Sequence, residues 1–177
     1  GNHAQGVAYS AKKLGLKSII VMPITTPLIK INAVKNLGSK VVFFGDNFDE
    51  AYNHAVSIAK KENYSFIHPY DDKEVISGQG TIGKEIIEQI DSKIEAVFVP
   101  VGGGGLLAGV GAYIKSEHPE IKVIGVEPED AACLDLAIKN NKRLSLKEVG
   151  LFADGVAVKQ IGKLTFSLIR DRLDGLV

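Results

Sequence analysis

The sequence predicts an α/β fold organised around a mainly parallel sheet, and three observations carry that expectation. Short β-branched runs alternate with longer stretches of helical period along all 177 residues. Several of those stretches close on glycine or asparagine, the residues that end helices. One run, Glu95-Ala-Val-Phe-Val-Pro-Val-Gly-Gly-Gly-Gly-Leu-Leu-Ala-Gly-Val-Gly111, sets a buried strand directly before four glycines and a helix start.

Taken in order, residues 4–14 have helical spacing and stop at Gly15, 18–22 form a buried strand, and 23–27 a loop. A helix over 28–37 stops at Gly38, a strand follows over 40–44, and Gly45-Asp46-Asn47 turns the chain. Over 48–63, Phe48, Ala51, Tyr52, Ala55, Val56 and Ala59 share one helical face. Residues 66–67 make a short strand, and the polar, turn-rich His68-Pro-Tyr-Asp-Asp72 crosses between two subdomains, assigned to 1–70 and 71–177. Beyond it the periodicity predicts a helix over about 78–90, a strand over 96–101, the glycine loop, and a helix ending before Pro119. A strand over 122–126, then Glu127-Pro-Glu-Asp130 leading into a helix through Lys139, and an amphipathic helix over 159–173 complete the chain. Asp174-Gly-Leu-Val177 reads as the lead-in to another strand.

The bulk properties narrow the function classes. Lys+Arg and Asp+Glu number 21 each, so no basic patch points to nucleic acid and no charged face points to a membrane surface. No apolar run approaches the ~18 residues needed to span a bilayer, and the start of the chain has no signal-peptide pattern. Cys133 is the single cysteine, which removes a disulfide framework and a cysteine-rich metal site and makes the cytoplasm the expected compartment. With no initiator Met, and with Gly1 opening inside what reads as a motif, the chain is expected to be a fragment of a longer protein.

The glycine loop carries the clearest chemistry. The first N–H groups of a helix have no intrahelical partner and sit at the positive end of its dipole, so Gly102 to Gly105 suit the phosphate of a phosphorylated cofactor. Two other readings fit the same residues. Gly103, Gly105 and Ala108 match the loose dinucleotide pattern G-x-G-x-x-G/A, with Glu127 about 20 residues on as the ribose acid of an NAD(P)-dependent oxidoreductase. Alternatively, the glycines serve only tight packing of a helix on a sheet.

Three further segments stand out. Gly1-Asn2-His3-Ala4-Gln5-Gly6 opens a helix, with Asn2 as a good capping residue that needs no ligand in that role. Ser77-Gly-Gln-Gly-Thr-Ile-Gly83 sets small residues at the start of a tightly packed helix. Gly150-Leu-Phe-Ala-Asp-Gly-Val-Ala-Val158 is an apolar loop around Asp154-Gly155, able to approach a planar ligand or simply to turn. His54, His68 and His118 lack the spacing of a metal site or a triad and read as surface or structural residues.

Together Gly-Asn-His-Ala-Gln-Gly at 1–6, Ser-Gly-Gln-Gly-Thr at 77–81, Val-Pro-Val-Gly-Gly-Gly-Gly-Leu at 99–106, Gly-Val-Glu-Pro-Glu at 125–129 and Gly-Leu-Phe-Ala-Asp-Gly-Val-Ala-Val at 150–158 resemble the threonine dehydratases, fold-type-II pyridoxal-phosphate enzymes. The resemblance runs in order through essentially the whole chain. Its last motif is closer to the biosynthetic branch than to the serine racemases or the catabolic branch.

The resemblance implies a tryptophan synthase β-like fold of parallel-sheet α/β/α layers in two subdomains, with 1–70 from the smaller, cofactor-facing one and 71–177 from the larger. It assigns the pyridoxal 5′-phosphate group to the backbone of Gly102, Gly103, Gly104, Gly105 and Leu106, the pyridine 3′-oxygen to Asn2, and the ring lining to Gly155. Gly1, Asn2, His3 and Gln5 would receive the carboxylate of an amino-acid substrate. The reaction would be dehydration and deamination of L-threonine to 2-oxobutanoate and ammonia, in isoleucine biosynthesis, by an enzyme that is a homo-oligomer at full length. The Schiff-base lysine of this family lies upstream of the asparagine motif, so no catalytic residue is expected here. Lys12, Lys13 and Lys84 stand in no such motif. Related racemases hold a divalent cation with a glutamate at the position of Glu127 and an aspartate six residues later. Here that later residue is Cys133, and no divalent metal is expected.

Overall fold

The computed structural model describes residues 1–150 and 152–177. The chain divides into two compact units, Gly1–Ile67 and His68–Val177. The division falls at the start of the His68 to Asp72 segment, three residues before the expected boundary at 70.

In the first unit α1 (Asn2–Leu14), β1 (Ile19–Met22), α2 (Leu28–Asn36), β2 (Lys40–Phe43) and α3 (Phe48–Glu62) follow one another. Strands β1 and β2 pair in parallel, Ile19 opposite Lys40 through Met22 opposite Phe43, and α2 is the crossover such a pair requires. Ala8, Ile20, Met22, Ile31 and Val34 form the core. Helix α3 begins at Asn47, whose side chain accepts from the Glu50 N–H at 3.1 Å while the Glu50 carboxylate accepts from Asn47 Nδ2 at 2.8 Å.

Residues 66–67 are not a strand. Their backbone finds no place beside β1 and β2, and the Ile67 carbonyl lies 3.0 Å from His3 Nε2 instead.

The second unit contains α4 (Lys73–Gln89), β3 (Ala96–Pro100), α5 (Gly105–Glu117), β4 (Lys122–Val126), a 3-10 turn (Glu129–Ala131), α6 (Cys133–Lys139), α7 (Lys163–Ile169) and β5 (Gly175–Leu176). Its sheet runs β3-β4-β5, all parallel, with Ala96 opposite Lys122 and Ile124 opposite Gly175. Helix α5 is apolar on nearly every side and sits in the core, where Leu107, Val110 and Ile114 meet Val99, Val123, Leu134 and Ile161.

Helices α4 and α7 depart most from the sequence expectation, and a carboxylate cap sets the start of each. Helix α4 starts at Lys73 rather than 78, because the Asp72 carboxylate accepts from the Glu74 and Val75 N–H groups and opens the helix there. The Ser77 to Gly83 motif therefore lies inside α4 instead of opening it. Helix α6 follows the Glu127 to Asp130 segment and ends at Lys139 as expected; it begins at Cys133, after the 3-10 turn, where the Glu127 side chain meets its first N–H groups. Helix α7 is seven residues long, not fifteen as expected for 159–173: its start is fixed after Gly162 by a carboxylate from far along the chain, and it ends at Ile169.

Candidate functional site

Strand β3 ends at Pro100, and the chain turns through Gly102, Gly103 and Gly104 into α5. Gly104 caps the helix with φ 89° and ψ −1°, a left-handed conformation that suits glycine, and its carbonyl accepts from the Ala108 N–H at 2.9 Å. The Val101 N–H is used by the Val126 carbonyl. Between these two, the N–H groups of Gly102, Gly103, Gly104, Gly105, Leu106 and Leu107 meet no acceptor among the described residues. Gly103, Gly104, Gly105 and Leu107 are buried. Six successive donors without partners, four on buried residues, require an acceptor from outside the described structure.

The other side of the loop is filled. A Cβ on Gly102 would lie 3.0 Å from Val156 Cα, and one on Gly105 would lie 3.0 Å from the Tyr70 carbonyl oxygen. A Cβ on Gly103 would overlap the Tyr70 ring. Close packing therefore demands the glycines, while their N–H groups stay unpaired. Packing alone accounts for the missing side chains and leaves the donors unexplained.

The loop carbonyls are held as well. Thr165 Oγ1 donates to the Gly103 carbonyl at 2.8 Å, and the Gly162 N–H donates to the same oxygen at 3.2 Å. Cys133 Sγ, fully buried, donates to the Gly102 carbonyl at 3.5 Å. Asp71 accepts from the N–H groups of Lys163, Leu164 and Thr165 and so caps α7. His68 Nδ1 accepts from the N–H groups of Tyr70 and Asp71 and shapes the turn that carries both.

Glu127 is taken up internally. Its two carboxylate oxygens accept from Leu134 and Asp135 N–H, each at 2.8 Å, which caps α6. Burial raises its carboxyl above the ordinary value, and those two backbone bonds pull it partly back. The dinucleotide reading needs this acid free for a ribose and needs one continuous sheet. Glu127 is committed to α6, and the strands form two separate sheets. Burial, with the Glu127 charge beside it, pushes the Cys133 thiol up to about 12. Among the described residues, no cluster of three or more histidine, cysteine or acidic side chains is placed to hold a metal ion.

The remaining expected site residues are spread over the two units. Gly155 lies in a turn, exposed, with open space where its Cβ would be, and Val156 abuts Gly102. Leu151 lies outside the described residues. In the first unit Gly1, not Asn2, occupies the cap of α1, since the Gly1 carbonyl accepts from Gln5 N–H at 3.3 Å. Asn2 is the first helical residue and exposed, and His3 and Gln5 are half-buried in the same first turn. Lys12, Lys13 and Lys84 are exposed, with Lys13 Nζ 5.6 Å from the Tyr9 ring and Lys84 paired to Glu88 at 3.6 Å.

The family model for pyridoxal-phosphate dependent enzymes matches residues 1–177. The chain belongs to that family. It is similar to the biosynthetic chloroplastic threonine dehydratase of Arabidopsis thaliana, at 55% identity over 177 residues, covering 100% of this chain and 30% of that protein. It is similar to the biosynthetic L-threonine dehydratase IlvA of Burkholderia multivorans, at 51% identity, covering 100% of this chain and 36% of that protein. Among solved structures it superposes on the processed form of threonine deaminase isoform 2 from Solanum lycopersicum with a TM-score of 0.94 at 50% identity, covering 100% of this chain and 51% of that one. Maize serine racemase gives a TM-score of 0.93 at 32% identity, covering 100% and 53%. The chain spans about a third of the length of the curated relatives it matches.

The fold is therefore that of the fold-type-II pyridoxal-phosphate enzymes, and the cofactor is pyridoxal 5′-phosphate. The residues present fit its phosphate: six N–H groups that meet no acceptor among the described residues, at the positive end of an apolar, buried helix, are donors an anion satisfies without any cationic side chain. Tyr70, Asp71, Gly162 and Thr165 carry no glycine-rich signature of their own. The one cue is compositional: Thr165 is a polar residue at an apolar position of a helical period, and it is fully buried.

Proposed function

We propose that the protein carrying this chain dehydrates and deaminates L-threonine to 2-oxobutanoate and ammonia, in the biosynthetic route to isoleucine, and that this chain is an internal part of it. The supporting observation is the row of unpaired N–H groups from Gly102 to Leu107 on a chain 55% identical to a biosynthetic threonine dehydratase. Gly102, Gly103, Gly104, Gly105 and Leu106 hold the phosphate through the backbone. Asn2 would donate to the pyridine 3′-oxygen, and Gly155 would line the ring.

Each residue acts through its place in the fold. The backbone donors fix the phosphate without a mobile side chain, so they orient the group at small entropic cost. The first turn of α1, with Gly1, Asn2, His3 and Gln5, offers helix N–H groups and their dipole to the substrate carboxylate. When bound, pyridoxal phosphate supplies the electron sink that stabilises negative charge at the substrate Cα. No lysine of this chain is assigned to covalent attachment of the cofactor, so residues 1–177 alone are expected to be inactive. The second unit, His68–Val177, is assigned as the phosphate-holding subdomain, and Gly1–Ile67 as part of the smaller one. The full-length enzyme is proposed to be a cytoplasmic homo-oligomer.

The test is direct. The full-length protein, purified with pyridoxal phosphate, is mixed with L-threonine and with L-serine, and 2-oxo acid and ammonia are measured. Faster formation of 2-oxobutanoate from threonine than of pyruvate from serine supports the assignment. A cofactor-loaded full-length protein that releases no 2-oxobutanoate overturns it.

A further inference from the structure

We infer that Thr165 is a positioning residue for the phosphate cradle: its buried hydroxyl holds the Gly103 carbonyl and thereby aims the Gly104 N–H, while Asp71 holds the helix that carries Thr165. The inference rests on the assignment of the glycine loop to the cofactor phosphate.

A trans peptide is planar, and its C=O and N–H point in opposite directions. Whatever fixes the Gly103 carbonyl therefore fixes the direction of the Gly104 N–H. Two donors fix it, Thr165 Oγ1 at 2.8 Å and Gly162 N–H at 3.2 Å, and both belong to the start of α7. This matters because neither flanking residue has a Cβ. A peptide between two glycines can turn over with little steric resistance, which would swap a donor for an acceptor facing an anion.

The device extends outward from the loop. Thr165 is fully buried, and its Cβ lies 3.0 Å from where a Cβ on Gly104 would be, so the side chain is wedged under the turn. Helix α7 is capped by Asp71, which accepts from Lys163 N at 2.9 Å, Leu164 N at 2.8 Å and Thr165 N at 3.1 Å. Asp71 is carried by the turn whose Tyr70 packs against Gly103 and Gly105. One short segment, His68 to Asp72, thus buttresses the cradle twice, through the Tyr70 ring and through α7. Held in this way, the loop presents its donors before the anion arrives, and binding does not have to reorganise them.

The experiment uses the full-length apoenzyme and two probes, pyridoxal 5′-phosphate and pyridoxal, which differ by the phosphate alone. The ratio of their dissociation constants reads the phosphate contribution. Thr165→Val keeps the shape and loses the donor, and it is expected to shrink that ratio about tenfold, the effect of one buried hydrogen bond. Thr165→Ser restores the donor and is expected to restore the ratio, with pyridoxal affinity unchanged in both variants. Thr165→Ala lacks the hydroxyl without adding an apolar branch beneath Gly104, and it must reproduce the loss seen with valine. An unchanged ratio in Thr165→Val or Thr165→Ala overturns the inference while leaving the phosphate assignment standing. Equal loss with Ser and Val, or a parallel drop in pyridoxal affinity, also overturns it, since either marks a structural role only. If the wild-type protein does not distinguish the two probes, the phosphate assignment fails and the inference with it.

Discussion

Gly80 of α4 and Gly109 of α5 meet where the two helices cross, and there is room for a Cβ on one but not on the other. On Gly80 a Cβ would rest 3.4 Å from the Gly109 carbonyl oxygen, an ordinary contact. On Gly109 it would sit 2.8 Å from Gly80 N and 2.7 Å from Gln79 Cβ, and it would strike the Ile76 carbonyl. The backbone of α4 would have to move.

Opposite outcomes follow for two similar substitutions. Alanine in a helix interior gains about 1 kcal/mol over glycine, and Gly80→Ala is expected to keep much of that and leave the melting temperature unchanged or raised. Gly109→Ala adds an overpacking penalty of about 1–3 kcal/mol, so its melting temperature is expected to fall. Thermal unfolding of the two variants side by side decides it, and a stabilised Gly109→Ala would contradict the close crossing.

Gly104 and Gly155 make a second contrast. Gly104 has φ 89°, and a Cβ there would lie 2.7 Å from Ile161 Cδ1 and 3.0 Å from Ile169 Cδ1. Gly104→Ala is expected to cost about 1–3 kcal/mol in backbone strain alone, with weakened cofactor retention. Gly155 has open space at its Cβ position. Gly155→Ala is expected to melt like the parent while shifting the absorbance of the bound cofactor, if the residue lines the ring as proposed. A Gly155→Ala protein with an unaltered spectrum removes Gly155 from the site.

How much of this was legible in the sequence depends on the range of the interaction. Strand β4 matches the expected 122–126 residue for residue, and β1, β2 and β3 differ by one residue, because hydrophobic runs bounded by turns are local signals. The glycine loop was legible for the same reason. What escaped was fixed at a distance. Asp71 sets the start of α7 across more than 90 residues, and Glu127 sets the start of α6 by reaching seven and eight positions ahead. Asp72 shows the local limit: it caps α4 at once, but the apolar period that reveals the helix becomes clear only several residues later. The strand expected at 66–67 failed because a strand needs a neighbour, and two apolar residues in sequence do not supply one.

Cys133 is expected to be inert in the native protein. Its thiol is fully buried and pushed up to about 12, and the thiolate is the reactive form. Peptide mapping after treatment with a thiol-alkylating reagent at pH 8 should find Cys133 unmodified in the folded protein and modified after denaturation. Rapid native labelling would show that the Cys133 to Gly102 contact opens in solution.

His68 makes the stability of the second unit dependent on pH, with a sign that its contacts fix. Its Nδ1 accepts from Tyr70 N at 3.2 Å and Asp71 N at 2.8 Å, a role open only to the unprotonated nitrogen. Burial lowers its pKa below the ordinary 6.5, against the upward pull of the Asp71 and Asp72 charges. The folded state therefore binds fewer protons than the unfolded chain, and stability falls as pH drops below about 6.5 until the folded-state pKa is passed. Above 6.5 both states are neutral and the contribution is flat. Asparagine can accept from the same two N–H groups in an Asx turn and does not titrate. His68→Asn is therefore expected to fold and to lose part of the decline in melting temperature between pH 7 and pH 5. An acid-side decline identical to that of the parent would place the sensitivity elsewhere, leaving the turn at His68 without a role in it.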